Sequence, residues 1–237
     1  MIAGMNRIAL SFALFALSTA ATAAPNHALR PTANPGGVIA AEIGFAALAQ
    51  EKGQWTAFRT TAAKGAKMFS PQPVLVAEFL KGRQDPVVTV KWQPHTVWSS
   101  CDGSIAVTRG AWQRPESTGY FITGWQRQKD GGYKWVLDQG DALVQPLAEP
   151  DGIEGVVADC PAPGQRSDHK DDLRDAKGKP LTGPQAFVDP LNAAANDGTL
   201  AWATTVDTAG GRTFSLNLRK DGAMREVLHA GVKPSAG

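Results

Sequence analysis

Two side chains in the middle of the chain could carry proton transfer. His95 lies in the first of four strand-like runs, and Asp138 lies in the fourth. An imidazole titrates near neutral pH, and burial raises the pKa of a carboxyl group, so each side chain is a candidate general acid or base. Each also has a structural alternative: His95 as a hydrogen-bonded residue after Pro94, and Asp138 as the partner of Arg109, Arg127 or a backbone amide.

The turns between these runs predict which side chains share a face of the sheet. The Asp-Gly pair at positions 102 and 103 is a strong hairpin signal, and it places His95 opposite Gly110. The later turns align Gly110 with Thr123 and Thr123 with Asp138. Because directly paired residues share a face, these four form one row. A one-residue slip or a bulge would exchange the faces beyond it.

The face that contains this row has the composition of a ligand pocket. Aromatic side chains alternate with hydrogen-bonding ones, and Gly110 and Gly140 leave room for a ligand. Stacking of a ligand on Trp112 and Trp125 competes with plain core packing as an explanation of these tryptophans. The predicted ligand-binding residues are Gln93, His95, Thr108, Gly110, Trp112, Thr123, Trp125 and Asp138. The opposite face is predicted to hold Trp98, Val107 and Trp135.

Helical spacing precedes the strands. It predicts an amphipathic helix over Val38–Glu51, with Ile39, Phe45, Leu48 and Ala49 on its apolar stripe, and a short helix over Gln54–Ala63. Helices followed by an antiparallel meander indicate an α+β fold in which the helices cover one face of the sheet. The predicted strands of the meander are Val87–Ser99, Ser104–Arg114, Gly119–Gln128 and Tyr133–Leu143.

A β-rich extension is predicted at residues 199–233, after a linker over residues 146–198. The linker contains one predicted strand, Ile153–Asp159, and a charged, glycine- and proline-rich stretch, Pro161–Pro184. The strands predicted for the extension are Leu200–Asp207, Thr213–Arg219 and Glu226–Val232.

The N-terminal residues predict export. Residues 1–23 combine one positive charge, a ten-residue apolar run and an Ala-Thr-Ala cleavage site, which is typical of a signal peptide, and residues 24–36 form a linker. We therefore expect a periplasmic or secreted protein that does not enter a membrane after signal removal. In that compartment Cys101 and Cys160 either form a disulfide or remain two buried thiols.

Composition and motifs exclude several functional classes. The net charge of +2 gives no basic surplus for nucleic acid binding. Four histidines and two distant cysteines show no metal-ligand spacing, and we predict no metal site. No phosphate-binding or dinucleotide-binding glycine motif is present, so no cofactor is expected.

Short motifs from the first predicted helix to the last strand of the meander carry a family resemblance. They are AEIGF at 41–45, GQW at 53–55, MF at 68–69, WQPH at 92–95, DGS at 102–104, VTRG at 107–110, GYF at 119–121, WQRQ at 125–128, DG at 130–131 and WVLD at 135–138. Over about residues 38–143 the chain resembles the nuclear transport factor 2-like superfamily, of the SnoaL-like or "domain of unknown function 4440" type.

The resemblance implies a cone over residues 37–145, in which a strongly curved antiparallel sheet wraps around the helices and encloses a pocket. Members include isomerases, cyclases, dehydratases and non-catalytic modules, and many dimerise through the sheet. The tyrosine and two acidic residues of the ketosteroid isomerase relatives have no match here, because Tyr120 and Tyr133 both lie on late strands.

Three functions therefore stay open. The first is binding of a small apolar or aromatic molecule in the pocket. The second is a lyase or isomerase reaction in which His95 or Asp138 transfers a proton. The third is a structural module that forms a homodimer through the tryptophan-rich outer face of the sheet.

Overall fold

Besides the first residue, the computed structural model describes residues 32–162 and 189–234. Within these ranges the chain forms three helices, a seven-stranded mixed sheet and a four-stranded antiparallel sheet, so the predicted α+β class is confirmed. The predicted signal peptide, most of the linker at 24–36 and the stretch from 163 to 188 lie outside the described residues. None of the described helices has the length and apolar character needed to cross a membrane.

The helices begin and end where the chain supplies caps. Helix α1 spans Pro35–Lys52, and the side chain of Asn34 accepts a hydrogen bond from the Gly37 amide at 2.9 Å. Gly53, with a φ of +102°, ends α1 and caps α2, which spans Gln54–Thr61. The short helix α3 spans Val76–Phe79.

Eleven strands are present in the described ranges. They are β1 (Ala62–Phe69), β2 (Pro73–Leu75), β3 (Lys91–Ser99), β4 (Ile105–Arg114), β5 (Ser117–Arg127), β6 (Tyr133–Leu143), β7 (Glu154–Val157), β8 (Asn192–Ala194), β9 (Leu200–Val206), β10 (Arg212–Lys220) and β11 (Ala223–Val232). The sequence pattern does not predict β2 or β8, each of which has only three residues.

The large sheet has the strand order β2-β1-β6-β5-β4-β3-β7. Strands β3 to β6 form the predicted antiparallel meander. The prediction of a wholly antiparallel sheet is wrong, however, because β1 runs parallel to β6 and β7 runs parallel to β3. Both parallel pairs join strands that are distant along the chain. Such pairs have no connecting hairpin turn from which the sequence could predict them.

Two bulges change the predicted register. Near the β3–β4 turn the pairing is as predicted, with Val97 opposite Thr108, but a bulge at His95 places Pro94 opposite Gly110. In β6, a second bulge at Val136 separates the Gly124–Leu137 pair from the Trp125–Trp135 pair.

Beyond each bulge the side chains exchange faces. Trp135, predicted for the outer face, therefore lies against α1: its ring stacks on Phe45 with 6.0 Å between centroids. Between β4 and β5 the register differs from the prediction by two residues, so that Thr108 rather than Gly110 is opposite Thr123. An even shift preserves the face, and Thr123 remains opposite Asp138 as predicted.

The large sheet has an apolar core on each side. On one side, α1 and α2 contribute buried residues such as Phe45 and Phe58, which contact Trp125 and Trp135 of the sheet. On the other side, the small sheet, in the order β11-β10-β9-β8, covers the outer face. Its core residues Leu200, Trp202, Phe214, Leu216 and Leu218 cluster with Val107, Ile122 and Leu137 of the large sheet.

A disulfide links two segments of the large sheet at the end where they contact the small sheet. Cys101 at the tip of the β3–β4 hairpin is bonded to Cys160, which follows β7, with the two Cα atoms 5.2 Å apart. Next to this bond, the Cys101 amide donates a hydrogen bond to Oγ1 of Thr199 at 2.9 Å. The hairpin that sets the register of the meander is thus also tied to the small sheet.

Candidate functional site

A cavity of about 340 Å³ lies between the first two helices and the sheet. Six aromatic rings border it, together with a few polar groups and Met68. The lining residues are Phe45, Gln54, Trp55, Phe58, Met68, Val90, Trp92, Trp112, Arg114, Phe121, Asp138, Gln139, Gly140, Asp141 and Ala142. An apolar wall with few polar groups is the usual composition of a small-molecule site.

Behind this wall, Glu42 of α1 is completely buried. Its carboxylate accepts a hydrogen bond from Nε1 of Trp92 at 2.8 Å, one from Nε1 of Trp125 at 3.2 Å and one from Oγ1 of Thr108. Burial raises the pKa of Glu42, while the three hydrogen bonds oppose that rise. The network fixes both tryptophans relative to the helix, because an unpaired buried carboxylate would be costly.

Like Asp141, Asp138 borders the cavity directly. Its Oδ2 accepts a hydrogen bond from Oγ1 of Thr123 at 3.0 Å. Burial, and then repulsion from Glu42, raise the pKa of Asp138 to about 7. Thr108 and Thr123 are directly paired on β4 and β5. Glu42 accepts from the Thr108 hydroxyl group and Asp138 accepts from the Thr123 hydroxyl group, so the two carboxyl groups bind neighbouring hydroxyl groups on the same face of the sheet.

This arrangement can accept or donate a proton near neutral pH. A protonated Asp138 can donate a hydrogen bond to a ligand, and an ionised one can take up a proton or hold a cation. Within residues 32–162 and 189–234, neither Glu42 nor Asp138 has an arginine, lysine or histidine nitrogen within 4.0 Å.

Two arginines border the site without reaching Asp138. Arg114 lines the cavity, and its guanidinium lies 5.7 Å from the centre of the Trp112 ring. Arg212 of β10 donates to Oε1 of Gln139 at 3.0 Å and to the carbonyl of Gly140 at 2.7 Å. The small sheet therefore supports the strand that carries Asp138.

The structure brings together part of the predicted ligand-binding set. Trp112 and Asp138 line the cavity. Thr108, Thr123 and Trp125 are fully buried and form the hydrogen-bond network behind it. Gln93 does not line this cavity; it borders an adjoining groove of about 700 Å³ next to the β4–β5 turn, which shares Trp92, Trp112 and Arg114 with the cavity.

The placement of His95 differs from the prediction, because the bulge removes it from the row. His95 is buried but does not line the cavity, and its Nε2 has no hydrogen-bond partner among the described residues. Burial, and then the positive charge of Arg109, lower the pKa of His95. The structure thus separates the two predicted acid–base candidates and leaves only Asp138 at the cavity.

Gly110 does not leave room for a ligand either. A Cβ atom placed on Gly110 would lie 2.0 Å from the Gln93 carbonyl oxygen and 2.7 Å from the Phe121 ring. The space is already occupied by the protein. Gly140, in contrast, does border the cavity.

Sequence reasoning missed Glu42 and most of the aromatic wall. The buried face of α1 is Val38, Glu42, Phe45 and Ala49, whereas the predicted stripe residues Ile39 and Leu48 are only half-buried. A glutamate four residues after Val38 and three before Phe45 has helical spacing with both, and this was the available signal. The ring of Trp92 carried no such signal, because its position depends on the bulge in β3.

No protein-family model matches the chain, and no curated protein matches it. The resemblance to the nuclear transport factor 2-like superfamily therefore stays a prediction. In the described ranges, no group of three or more histidine, cysteine or acidic side chains could hold a metal ion.

Proposed function

We propose that the chain is an exported protein of the nuclear transport factor 2-like type that binds a small aromatic molecule in the cavity beside Asp138. The observation that carries the proposal is the cavity itself. About 340 Å³ of space is bordered by six aromatic rings and by Asp138, a carboxyl group whose hydrogen-bonding capacity is only partly used. Helices against one face of the sheet, with a cavity between them, support the family resemblance.

The size and lining of the cavity favour a compact ligand. Pockets of about 300–1,000 Å³ are typical of small-molecule sites, and this one lies at the lower end. Planar walls formed by Trp92, Trp112 and Phe121 suit a flat ring, because offset or edge-to-face contacts between rings are favourable. A molecule of one or two fused rings with a single polar group meets both conditions.

Binding can be tested by calorimetric titration with 2-naphthol. Trp112 lines the cavity, while Trp98 is a half-buried tryptophan that packs on the other side of the sheet. Replacing Trp112 by Ala is expected to weaken binding about tenfold, because one wall is lost. The matched variant Trp98→Ala is expected to leave the affinity within about twofold. Absence of 2-naphthol binding to the wild-type protein would contradict the proposal.

A second candidate function is proton transfer of the lyase or isomerase class. The observation that favours it is the pKa of about 7 of Asp138 within the cavity. In such a reaction the ionised carboxylate takes a proton from the carbon next to a carbonyl group. The electrons of that C–H bond form the double bond of the enolate, and the carboxylic acid then returns a proton to carbon.

This candidate can be tested with the bicyclic ketone 2-tetralone in deuterated water. The wild-type protein is expected to accelerate deuterium incorporation next to the carbonyl group, and Asp138→Asn to lower that rate about 100-fold or more. His95→Ala is the control, because His95 lies outside the cavity, and it is expected to retain the rate. Equal rates for wild type and Asp138→Asn would leave binding as the only supported function.

The third function, a homodimer through the outer sheet face, has less support. In this structure the face is covered by the small sheet of the same chain. The large hydrophobic residues exposed in the described ranges, apart from Met1, are Ile43, Leu75, Val87, Val88, Val144 and Ile153, none of which is aromatic. A dimer stays a prediction and would need another surface.

A further inference from the structure

The carboxyl group at the cavity lacks a cationic partner. Asp138 receives one hydrogen bond, from Thr123 to Oδ2, and its other oxygen accepts none from the described residues. Glu42 lies close enough to repel it and is itself occupied by Trp92, Thr108 and Trp125. A buried carboxyl group and a partly buried one, with no cationic side chain of the described residues within 4.0 Å of either, form a site that favours a positive charge.

The walls of the cavity favour the same charge. The faces of tryptophan and phenylalanine rings attract cations within about 6 Å, and the attraction increases when water is excluded. Trp92, Trp112 and Phe121 come from three adjacent strands and border the same space as Asp138. A carboxylate surrounded by aromatic rings is the arrangement that recognises ammonium groups.

The other charged groups around the site do not supply the missing cation. Asp141, from the same strand as Asp138, adds a further acidic group to the lining. Arg114 also lines the cavity, but its guanidinium lies 5.7 Å from the centre of the Trp112 ring and not within 4.0 Å of Asp138, and Arg212 donates to Gln139 and to the Gly140 carbonyl. Arg212 still lowers the pKa of Asp138, but less than burial and Glu42 raise it.

We infer that the ligand carries a protonated amine, whose ammonium group lies against Asp138 between the aromatic walls. This inference rests on the proposed binding function and specifies its ligand class as a small aromatic amine. The ammonium group would donate hydrogen bonds to Asp138 Oδ1 and would offset the repulsion between Asp138 and Glu42. The aromatic part of the ligand would occupy the remaining apolar space.

Three probes of equal shape and different charge test the inference. They are 2-naphthylmethylamine, 2-naphthylmethanol and 2-naphthoate, titrated calorimetrically into the full-length protein. At about pH 8 the wild type is expected to bind the amine at least about tenfold more tightly than the alcohol, because a charge-assisted hydrogen bond replaces a neutral one. Asp138→Asn is expected to remove this preference. Asp151→Asn, at an exposed position outside the cavity, is the matched control and is expected to keep it.

The pH dependence gives a test that needs no variant. Lowering the pH from about 8 to about 5.5 protonates Asp138, while the amine keeps its charge. The affinity of the wild type for the amine is therefore expected to fall about tenfold, and the affinity for the alcohol to change less than about twofold.

The outcomes separate this inference from the proposed function. If the alcohol binds as tightly as the amine at about pH 8, the inference is wrong and binding of aromatic molecules still holds. If the naphthoate binds most tightly, Arg114 rather than Asp138 selects the charge, and the inference is overturned. If none of the three probes binds, the proposed function itself fails.

Discussion

At the scale of single residues, two carboxyl groups occupy the interior where apolar side chains would be more stable. Glu42 is satisfied by three donors, while Asp138 has one donor and borders an open space. Replacing such a group by an uncharged one of similar shape is often neutral or stabilising for a fold. Asp138 therefore lowers the free energy of unfolding, and this supports its proposed role in ligand recognition rather than a role in folding.

This cost predicts how stability depends on pH. The unfolded chain releases the Asp138 proton near pH 3.8, and the folded protein holds it up to about pH 7. Between these values the folded state binds more protons, so the free energy of unfolding falls as the pH rises, by up to about 1.4 kcal/mol per pH unit. Asp138→Asn removes this contribution.

Urea denaturation of both proteins at about pH 5, 6, 7 and 8 measures the effect. The wild type is expected to lose stability relative to Asp138→Asn as the pH rises to about 7, and the difference is expected to level off above it. A constant difference across the series would show that Asp138 titrates as it does in the unfolded chain.

At the scale of elements, the meander depends on two bulges and on close contacts at glycine. Gly110 in β4 lies so close to the Gln93 carbonyl and the Phe121 ring that a methyl group has no space. Gly44 is exposed on helix α1, and apart from its chain neighbours and the backbone of the helix itself, no heavy atom lies within 4 Å of the position that an alanine methyl group would take there. The two glycines therefore respond to alanine in opposite directions.

Gly110→Ala is expected to lower the free energy of unfolding by about 2 kcal/mol or more, because the added methyl group displaces backbone as well as a side chain. Gly44→Ala is expected to raise it by about 0.5–1 kcal/mol through helix propensity. Urea denaturation of the two variants compares them directly. A neutral or stabilising Gly110→Ala would mean that β3 and β4 do not approach each other as described.

These elements also show why sequence reasoning succeeded in part. The Asp-Gly turn and the alternation along β3 to β6 depend on local chemistry, and they correctly predicted the four central strands and the Thr123–Asp138 pair. A bulge inserts a residue without a distinct local signal, so the position of His95 and the face of Trp135 were wrong. The parallel pairing of β1 with β6 and the burial of Glu42 depend on contacts between distant segments, which no local pattern contains.

At the scale of the whole molecule, the large sheet separates the cavity from the small sheet. One face carries the cavity, and the other carries the small sheet, which closes the apolar outer surface. The two sides are connected by Arg212 of β10, which donates hydrogen bonds to Gln139 and to the Gly140 carbonyl beside the cavity. The disulfide lies instead at the hairpin tip, where Cys101, Thr199 and the segment after β7 meet.

Reduction of this disulfide is expected to destabilise the molecule without changing the cavity. The bond closes a loop between residues 59 positions apart, which corresponds to about 4 kcal/mol of unfolded-state entropy in the chain-entropy model. It also holds Asp159, whose carboxylate pairs with Lys220 at 3.3 Å and accepts from the Asp221 amide, so its loss loosens the small sheet as well. None of these groups borders the cavity.

Urea denaturation with and without a phosphine reductant measures the loss in the wild type. The double variant Cys101→Ser, Cys160→Ser is the control, because it should match the reduced wild type and be insensitive to reductant. At temperatures where the reduced protein remains folded, its affinity for 2-naphthol is expected to stay within about twofold of the oxidised value, since distant sites act independently. A large loss of affinity on reduction would show that the small sheet holds the cavity in shape through more than Arg212, and that the two faces of the sheet form one cooperative site.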